Sequence, residues 1–199
     1  MPLGTEYELK FRADAAVLDR IYAEFPGNWR EISMKTTYYD TPDRALSARK
    51  WTLRHRMEGE THVCTLKTPA DGNARQETEV ECPDIETALP RLAVESGCAE
   101  LLTLTAGGVI PVCGAEFVRR ANTMDMAGCI GELALDRGVL RNGPKELPFA
   151  EVEAELKQGQ REQLDLFAAV LARTYHLERE PRSKYLRARL LGQEEPHGI

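Results

Sequence analysis

The amino-acid sequence predicts an α+β fold, an eight-stranded antiparallel β-barrel with helices packed on its outside. Two observations support this fold class. About eight segments alternate polar and apolar residues with period two, and most of them are joined by short turns. Two or three other segments carry apolar residues at helical spacing, so they can cover the outer face of a closed or strongly curved sheet.

The strands are predicted from alternation, and turn residues separate them. Asp40-Thr41-Pro42-Asp43 and Asn142-Gly143-Pro144 are typical turn sequences. A last short extended piece is expected at Ser183-Lys184. The predicted strands are 3–12, 32–40, 50–57 and 61–67 (a hairpin), 75–82, 115–126, 129–137 and 149–157.

Three helical regions are predicted. The first begins after Asp14, a residue that commonly caps helices, and stops at Pro26-Gly27. The second runs from Pro83 to about Leu104, with breaks at Pro90 and Gly97. The third, 160–176, is amphipathic, and an exposed stripe on it is a candidate homodimer contact.

Bulk properties restrict the function classes. The 199 residues suit one domain, expected at 1–191, with a frayed tail at 192–199. The net charge of −6 argues against nucleic-acid binding, and no long apolar run predicts a membrane span. The N-terminus does not resemble a signal peptide, so a cytoplasmic location is expected. Five cysteines without a CxxC pair predict neither a disulfide framework nor a zinc site.

The polar faces of the predicted strands carry charges rather than neutral polar groups. Like charges recur two residues apart, as in Glu6 and Glu8 or Arg54 and Arg56. Such neighbours repel unless a ligand or counter-charge compensates them. Carboxylates without clustered cysteine or histidine favour Mg²⁺ or Mn²⁺, while arginine and lysine suit phosphate oxygens. A charged barrel interior therefore predicts binding of metal and polyphosphate.

The order of motifs resembles that of the CYTH superfamily, the triphosphate tunnel metalloenzymes. The resemblance covers nearly the whole chain. It is closest to the bacterial inorganic triphosphatases, although the C-terminal CHAD domain of many members does not follow here. The matching segments are Glu6-x-Glu8-x-Lys10, 38–43 (YYDTPD), 53–56 (LRHR), 65–67 (TLK), 75–77 (RQE), 117–119 (FVR), 132–138 (ELALDRG), 150–157 (AEVEAELK) and Ser183-Lys184.

The resemblance implies roles for individual side chains. Asp136 is assigned either to the metal or to orienting the attacking water, and Lys10, Arg54 and Arg56 are assigned to catalysis as well as to binding. Arg119 is preferred over Arg120 because of the F-x-R spacing. The implied ligands of Mg²⁺ or Mn²⁺ are Glu6, Glu8, Asp136, Glu151, Glu153 and Glu155. The implied phosphate-binding residues are Lys10, Arg54, Arg56, Lys67, Arg75, Arg119 and Lys184.

Hydrolysis of inorganic triphosphate is the expected reaction, and three alternatives remain open from the sequence. A class IV adenylyl cyclase would use the ribose hydroxyl as nucleophile, but the His-Phe pair typical before its ExExK motif is missing in Met1 to Thr5. A thiamine triphosphatase would need aromatic groups near the mouth of the tunnel. A non-catalytic polyphosphate or nucleotide sensor would have no need for the acidic positions.

Overall fold

The computed structural model describes residues 4–5, 7–69 and 75–192. Its ten strands form one sheet in which every paired neighbour is antiparallel, in the order β1-β6-β5-β4-β3-β7-β8-β9-β2-β10. Eight of them have five residues or more, which confirms the predicted α+β barrel-like sheet. The strands are β1 (Gly4–Thr5), β2 (Glu8–Arg12), β3 (Arg30–Asp40), β4 (Thr52–Glu58), β5 (Thr61–Pro69), β6 (Arg75–Glu81), β7 (Ile110–Met126), β8 (Cys129–Asn142), β9 (Lys145–Gln158) and β10 (Glu178–Arg179).

The N-terminal segment brings the two margins of the sheet together. Thr5 pairs with Gln76 of β6, and Glu8, three residues later, pairs with Glu155 of β9. Three residues extend over at most about 11 Å. Strands β6 and β9, which are distant in the strand order, therefore approach each other, and the sheet curves around an interior.

The helices lie on the outer face of the sheet and bury the apolar side chains that alternate with the charged ones along each strand. Helices α1 (Ala15–Glu24) and α5 (Arg161–Tyr175) cover β2, β8 and β9, where Phe11 and Val152 are fully buried, and α3 (Ile85–Glu95) and α4 (Glu100–Leu104) cover β5 and β6. Within the described ranges, no helix is long and apolar enough to cross a membrane. The helices are α1 (Ala15–Glu24), α2 (Ala45–Ala48), α3 (Ile85–Glu95), α4 (Glu100–Leu104), α5 (Arg161–Tyr175) and α6 (Lys184–Leu190).

Two local predictions are wrong. Pro90 lies inside α3 rather than ending it, because that helix is held by buried Ala88, Leu89 and Leu92, whereas the chain does turn at Gly97, where φ is +68°. Lys184 is not extended, because it begins α6; Ser183 does have an extended backbone, and it caps this helix by accepting a hydrogen bond from the Leu186 amide.

Two other predictions concern the exposed side of α5 and the C-terminal tail. On the outer side of α5, Leu166 and Val170 are exposed, and the homodimer contact there stays a prediction. The predicted tail at 192–199 lies, apart from Gly192, outside the described residues.

Glu180 fastens the segment before α6 to the sheet. Its side chain is 1% exposed and accepts hydrogen bonds from Arg12 of β2 and from Arg182. The bonds from Arg182, with those from Arg12, lower the pKa of Glu180 to about 2 although burial opposes this. The ionised carboxylate of Glu180 therefore holds the segment that precedes α6 against β2.

Glu180→Gln is expected to lower the free energy of unfolding at pH 7 by about 1–3 kcal/mol, because charge-assisted hydrogen bonds are lost. Because the pKa of Glu180 is lower in the folded protein than in the unfolded chain, its ionised carboxylate stabilises the fold at pH values above about 4.3, the ordinary glutamate pKa. This stabilisation is lost as the pH falls towards 2. Urea unfolding of both proteins between pH 7 and pH 2 should show curves that converge on the acid side. A constant difference across that window would contradict this account.

Candidate active site

A cavity of about 100 Å³ lies inside the curved sheet and is lined by residues of β2 to β7, of β9 and of the start of α6. All seven cations that the sequence assigned to phosphate binding line this cavity. Two of the predicted acids, Glu8 and Glu153, line it as well. The cations are Lys10, Arg54, Arg56, Lys67, Arg75, Arg119 and Lys184.

Strand alternation places these charges inside. On β4, Arg54 faces the cavity while its neighbour Leu53 is fully buried in the core beneath α3. On β2, Lys10 faces the cavity while Leu9 and Phe11 pack against the outer helices. The period of two therefore separates the polar lumen from the apolar shell.

Carboxylates of β6 neutralise the arginines and lysine on one wall. The Arg54 guanidinium lies 3.1 Å from Glu77 and 3.3 Å from Glu79. Lys67 lies 2.7 Å from the same Glu77, and Arg56 lies 3.7 Å from Glu79. Burial, followed by repulsion from Arg54, lowers the pKa of Arg56, although Arg56 also pairs with Glu58.

The opposite wall contains a compact acidic cluster formed by Asp136, Glu151 and Glu153. One carboxylate oxygen of each lies within 4.8 Å of the others. These residues are 0%, 1% and 7% exposed, respectively. Asp136 and Glu151 lie directly opposite each other on β8 and β9, so the sheet register itself assembles the cluster.

The Lys184 ammonium lies among these three carboxylates. Its Nζ is 2.8 Å from both Asp136 Oδ2 and Glu153 Oε1, and it also contacts Glu151. Burial would lower the pKa of Lys184, but the three carboxylates raise it well above its ordinary value. Burial likewise raises the pKa of Glu153, yet Lys184 and Arg119 lower it well below its usual range. Both groups are therefore charged at neutral pH.

Arg119 spans the cluster from β7. Its Nε and one terminal nitrogen donate to the two oxygens of Asp136 at 2.8 and 2.7 Å, and the same terminal nitrogen donates to Glu153. Gly138 permits this register, since a Cβ there would lie 2.1 Å from the Glu116 carbonyl oxygen of β7. The adjacent Arg120 points outward to Glu31.

A second acidic row runs across β2, β9 and β8. Glu155 is the cross-strand partner of both Glu8 and Glu132. Glu8 is 2.9 Å from Lys10, and Glu155 is 2.7 Å from Lys157. Glu6, the remaining predicted ligand, lies outside the residues whose side chains are described.

Sequence analysis missed two members of this site. Arg187 is 9% exposed and donates to Glu151, and Glu132 completes the second acidic row. Arg187 follows Lys184 by three residues, a helical spacing, so a helical interpretation of 184–190 would have found it. Glu132 was visible as the start of the 132–138 motif.

The donor set fits a hard divalent cation. Three carboxylates already surround one positive charge, the Lys184 ammonium, at hydrogen-bond distance. Oxygen-only donors of this kind suit Mg²⁺ or Mn²⁺ rather than zinc. The assignment of each acid as a ligand, and of each cation to phosphate, stays a prediction.

A curved antiparallel sheet around a cavity lined by cations and carboxylates is the architecture of the triphosphate tunnel proteins. The family model described as the CYTH domain matches residues 4–188. The chain belongs to the CYTH family.

One curated relative is the inorganic triphosphatase of Haemophilus influenzae. It is 29% identical over 168 residues, which cover 83% of this chain and 48% of the relative. This chain therefore spans about half the length of the curated relative that it matches.

Solved structures share the fold at low identity. A candidate adenylate cyclase of Bacillus halodurans superimposes with a TM-score of 0.69 at 17% identity, covering 94% of this chain and 98% of that one. A Hippeastrum protein, a candidate adenylyl cyclase described as having a dominant triphosphatase activity, gives a TM-score of 0.63 at 18% identity, covering 96% and 98%. At these identities the likeness establishes the fold alone.

Proposed function

We propose that this chain hydrolyses inorganic triphosphate in a reaction that depends on Mg²⁺ or Mn²⁺. The observation that carries the proposal is the convergence of seven cations on one small cavity beside three buried carboxylates. Family membership and the triphosphatase relative support the same class of reaction.

The cations bind and align the substrate. Arg54 and Arg56 offer forked donors from β4, and Lys67 offers a point charge from β5. Held between these groups and Lys10, a linear triphosphate is fixed with its terminal phosphorus near the acidic cluster. The same charges stabilise the negative charge that shifts to the leaving oxygen in the transition state.

Asp136, Glu151 and Glu153, with Glu8 nearby, would hold the divalent ion. When bound, that ion activates water and neutralises phosphate oxygens. Lys184 then exchanges its carboxylate contacts for phosphate oxygens, while Arg119 keeps Asp136 and Glu153 in place. The water oxygen bonds to the terminal phosphorus, the bridging P–O bond breaks, diphosphate leaves with phosphate as the other product, and a proton passes to solvent.

The aromatic residues at the mouth of the tunnel already contact other side chains, which supports an inorganic substrate over a nucleotide or thiamine triphosphate. One face of the Tyr7 ring is covered by Arg161 at 4.8 Å. Tyr185 packs against Tyr38 at a centroid distance of 5.1 Å, and Trp51 is only 9% exposed.

The test is phosphate release from inorganic triphosphate, ATP and thiamine triphosphate, with Mg²⁺ or Mn²⁺ and with excess EDTA. We expect release fastest from inorganic triphosphate, lost in EDTA, and reduced about 100-fold in Glu8→Gln. Faster cyclic AMP formation from ATP would favour a cyclase. Tight triphosphate binding without release from any substrate would favour a sensor and overturn the proposal.

A further inference from the structure

Two histidines meet on the outer face of the hairpin formed by β4 and β5. His55 lies between Arg54 and Arg56, whose side chains line the tunnel cavity, so strand alternation turns the His55 side chain to the opposite face of the sheet. His62 lies on β5, diagonally across from His55, because the cross-strand partner of His55 is Cys64. His55 Nε2 and His62 Nδ1 are 3.0 Å apart. We call these two residues the histidine pair.

The distance between the two ring nitrogens suits a shared metal ion. Zinc lies about 2.0–2.1 Å from a histidine nitrogen, so two nitrogens on one ion of this size are about 2.8–3.0 Å apart in a square arrangement and about 3.3–3.4 Å apart in a tetrahedral one. The ring centroids of His55 and His62 are 5.1 Å apart, so the two nitrogens are the parts of the rings that face each other. Both residues are partly exposed, so ring rotation can turn the two lone pairs towards one ion that enters from solvent.

The protonation state of the histidine pair is compatible with metal binding, because metal ions bind neutral imidazole. Burial, followed by repulsion from His62, lowers the pKa of His55, although Asp84 opposes this. His55 is therefore neutral at pH 7.5. When an ion binds, the ring that donates the hydrogen bond between the two nitrogens carries its proton on its other nitrogen instead.

Nitrogen ligands distinguish the histidine pair from the tunnel. Among the described residues, the acidic cluster in the tunnel is the one group of three or more metal-binding side chains, so the histidine pair supplies two protein ligands and water fills the other positions. Cys64 stays a thiol, because burial raises its pKa to about 12 and its Sγ donates to the carbonyl oxygens of Cys82 and Asp84. Imidazole suits Zn²⁺, Ni²⁺ and Cu²⁺, whereas carboxylates suit Mg²⁺ and Mn²⁺.

We propose that His55 and His62 form a second metal site, outside the tunnel, that binds a divalent transition-metal ion such as Ni²⁺ or Zn²⁺ through His55 Nε2 and His62 Nδ1. As a hydrogen-bonded pair, the two facing nitrogens share one proton, whereas a bound ion uses the lone pairs of both. The ion would join β4 to β5 on the face opposite Arg54 and Arg56. The inference does not depend on the proposed hydrolysis.

The experiment is calorimetric titration of the protein, without an affinity tag, with Ni²⁺ and with Zn²⁺ at pH 7.5. Excess Mg²⁺ is present to compete for the carboxylates of the tunnel. The test variants are His55→Gln and His62→Gln. The matched control is His176→Asn, which removes an exposed histidine outside the pair and places there a residue that tolerates the left-handed backbone, since φ is +54°. Glu153→Gln reports on binding in the tunnel, and thermal unfolding establishes that each variant is folded.

In the wild type, we expect saturable binding of one ion per chain that each test variant weakens at least about tenfold, because losing a ligand costs at least as much as losing a group that only orients one. His176→Asn and Glu153→Gln should retain this binding. In ¹⁵N NMR spectra, Zn²⁺ should shift the resonances of His55 Nε2 and His62 Nδ1, which a purely structural histidine pair would not show.

Three results would overturn the inference. They are no saturable binding in the wild type, unchanged affinity in the folded test variants, and loss of binding in Glu153→Gln but not in the histidine variants. If one histidine variant does not fold, the other variant and the NMR spectra of the wild type decide. Triphosphate hydrolysis is not measured, so a failure of the proposed function would leave these results unchanged.

Discussion

Replacing Glu153 with glutamine is expected to reduce metal-dependent phosphate release from inorganic triphosphate by at least about 100-fold. Glu153 lines the tunnel, belongs to the three-carboxylate cluster, and contacts both Arg119 and Lys184. Glutamine keeps the shape but removes the charge that a divalent ion requires. The measurement is kcat and KM for inorganic triphosphate over a range of Mg²⁺ and Mn²⁺ concentrations.

Glu146→Gln is the matched control, because Glu146 lies on the same strand, is exposed, and pairs with Arg141 outside the tunnel. We expect its kinetics to equal those of the wild type. If a higher metal concentration partly restores phosphate release by Glu153→Gln, the residue acts through the metal. Wild-type turnover in this variant would instead show that Glu153 does not belong to the proposed site.

The lumen was predictable from sequence because strand alternation is a local property. Arg54 and Arg56 are two residues apart on one strand, so they face the same side whatever the rest of the fold does. Once a barrel is inferred, the apolar residues that alternate with the charged ones, such as Leu53, identify the outer face that the helices cover. The charged residues must then point inward. The placement of the six predicted cations that lie on strands, Lys10, Arg54, Arg56, Lys67, Arg75 and Arg119, around one cavity follows from this rule.

The inner ion pairing was not predictable in the same way. Lys184 meets Asp136 and Glu153 because α6 folds back against β7 and β8, a long-range contact that periodicity does not encode. The segment 184–190 covers only two turns, too short for a clear helical pattern, so the sequence predicts no helix there and does not single out Arg187. Arg119 and Arg120 are neighbours on one strand, so only one of them can point into the cavity. Alternation alone does not say which, and the F-x-R spacing of the motif indicates Arg119.

Replacing Arg119 with methionine is expected to lower the free energy of unfolding by about 3–5 kcal/mol. Asp136 is fully buried and takes two hydrogen bonds from Arg119. Without that guanidinium, the three carboxylates keep their direct contacts with Lys184 and Arg187, but Asp136 loses both hydrogen bonds from Arg119 while it stays buried. Urea unfolding at pH 7, or a fall in Tm of roughly 10 °C, would measure the loss.

Arg120→Met is the adjacent comparison, because Arg120 lies next along β7 and pairs with Glu31 and Asp19 on the outside. Those partners are 62% and 64% exposed, so water replaces the lost contacts and the expected cost is below about 1 kcal/mol. Equal losses for the two variants would mean that Arg119 contributes through strand packing rather than through charge. A large difference would show that the acidic cluster is stable only while cations hold it, which is the condition for exchanging one of those cations for a metal ion.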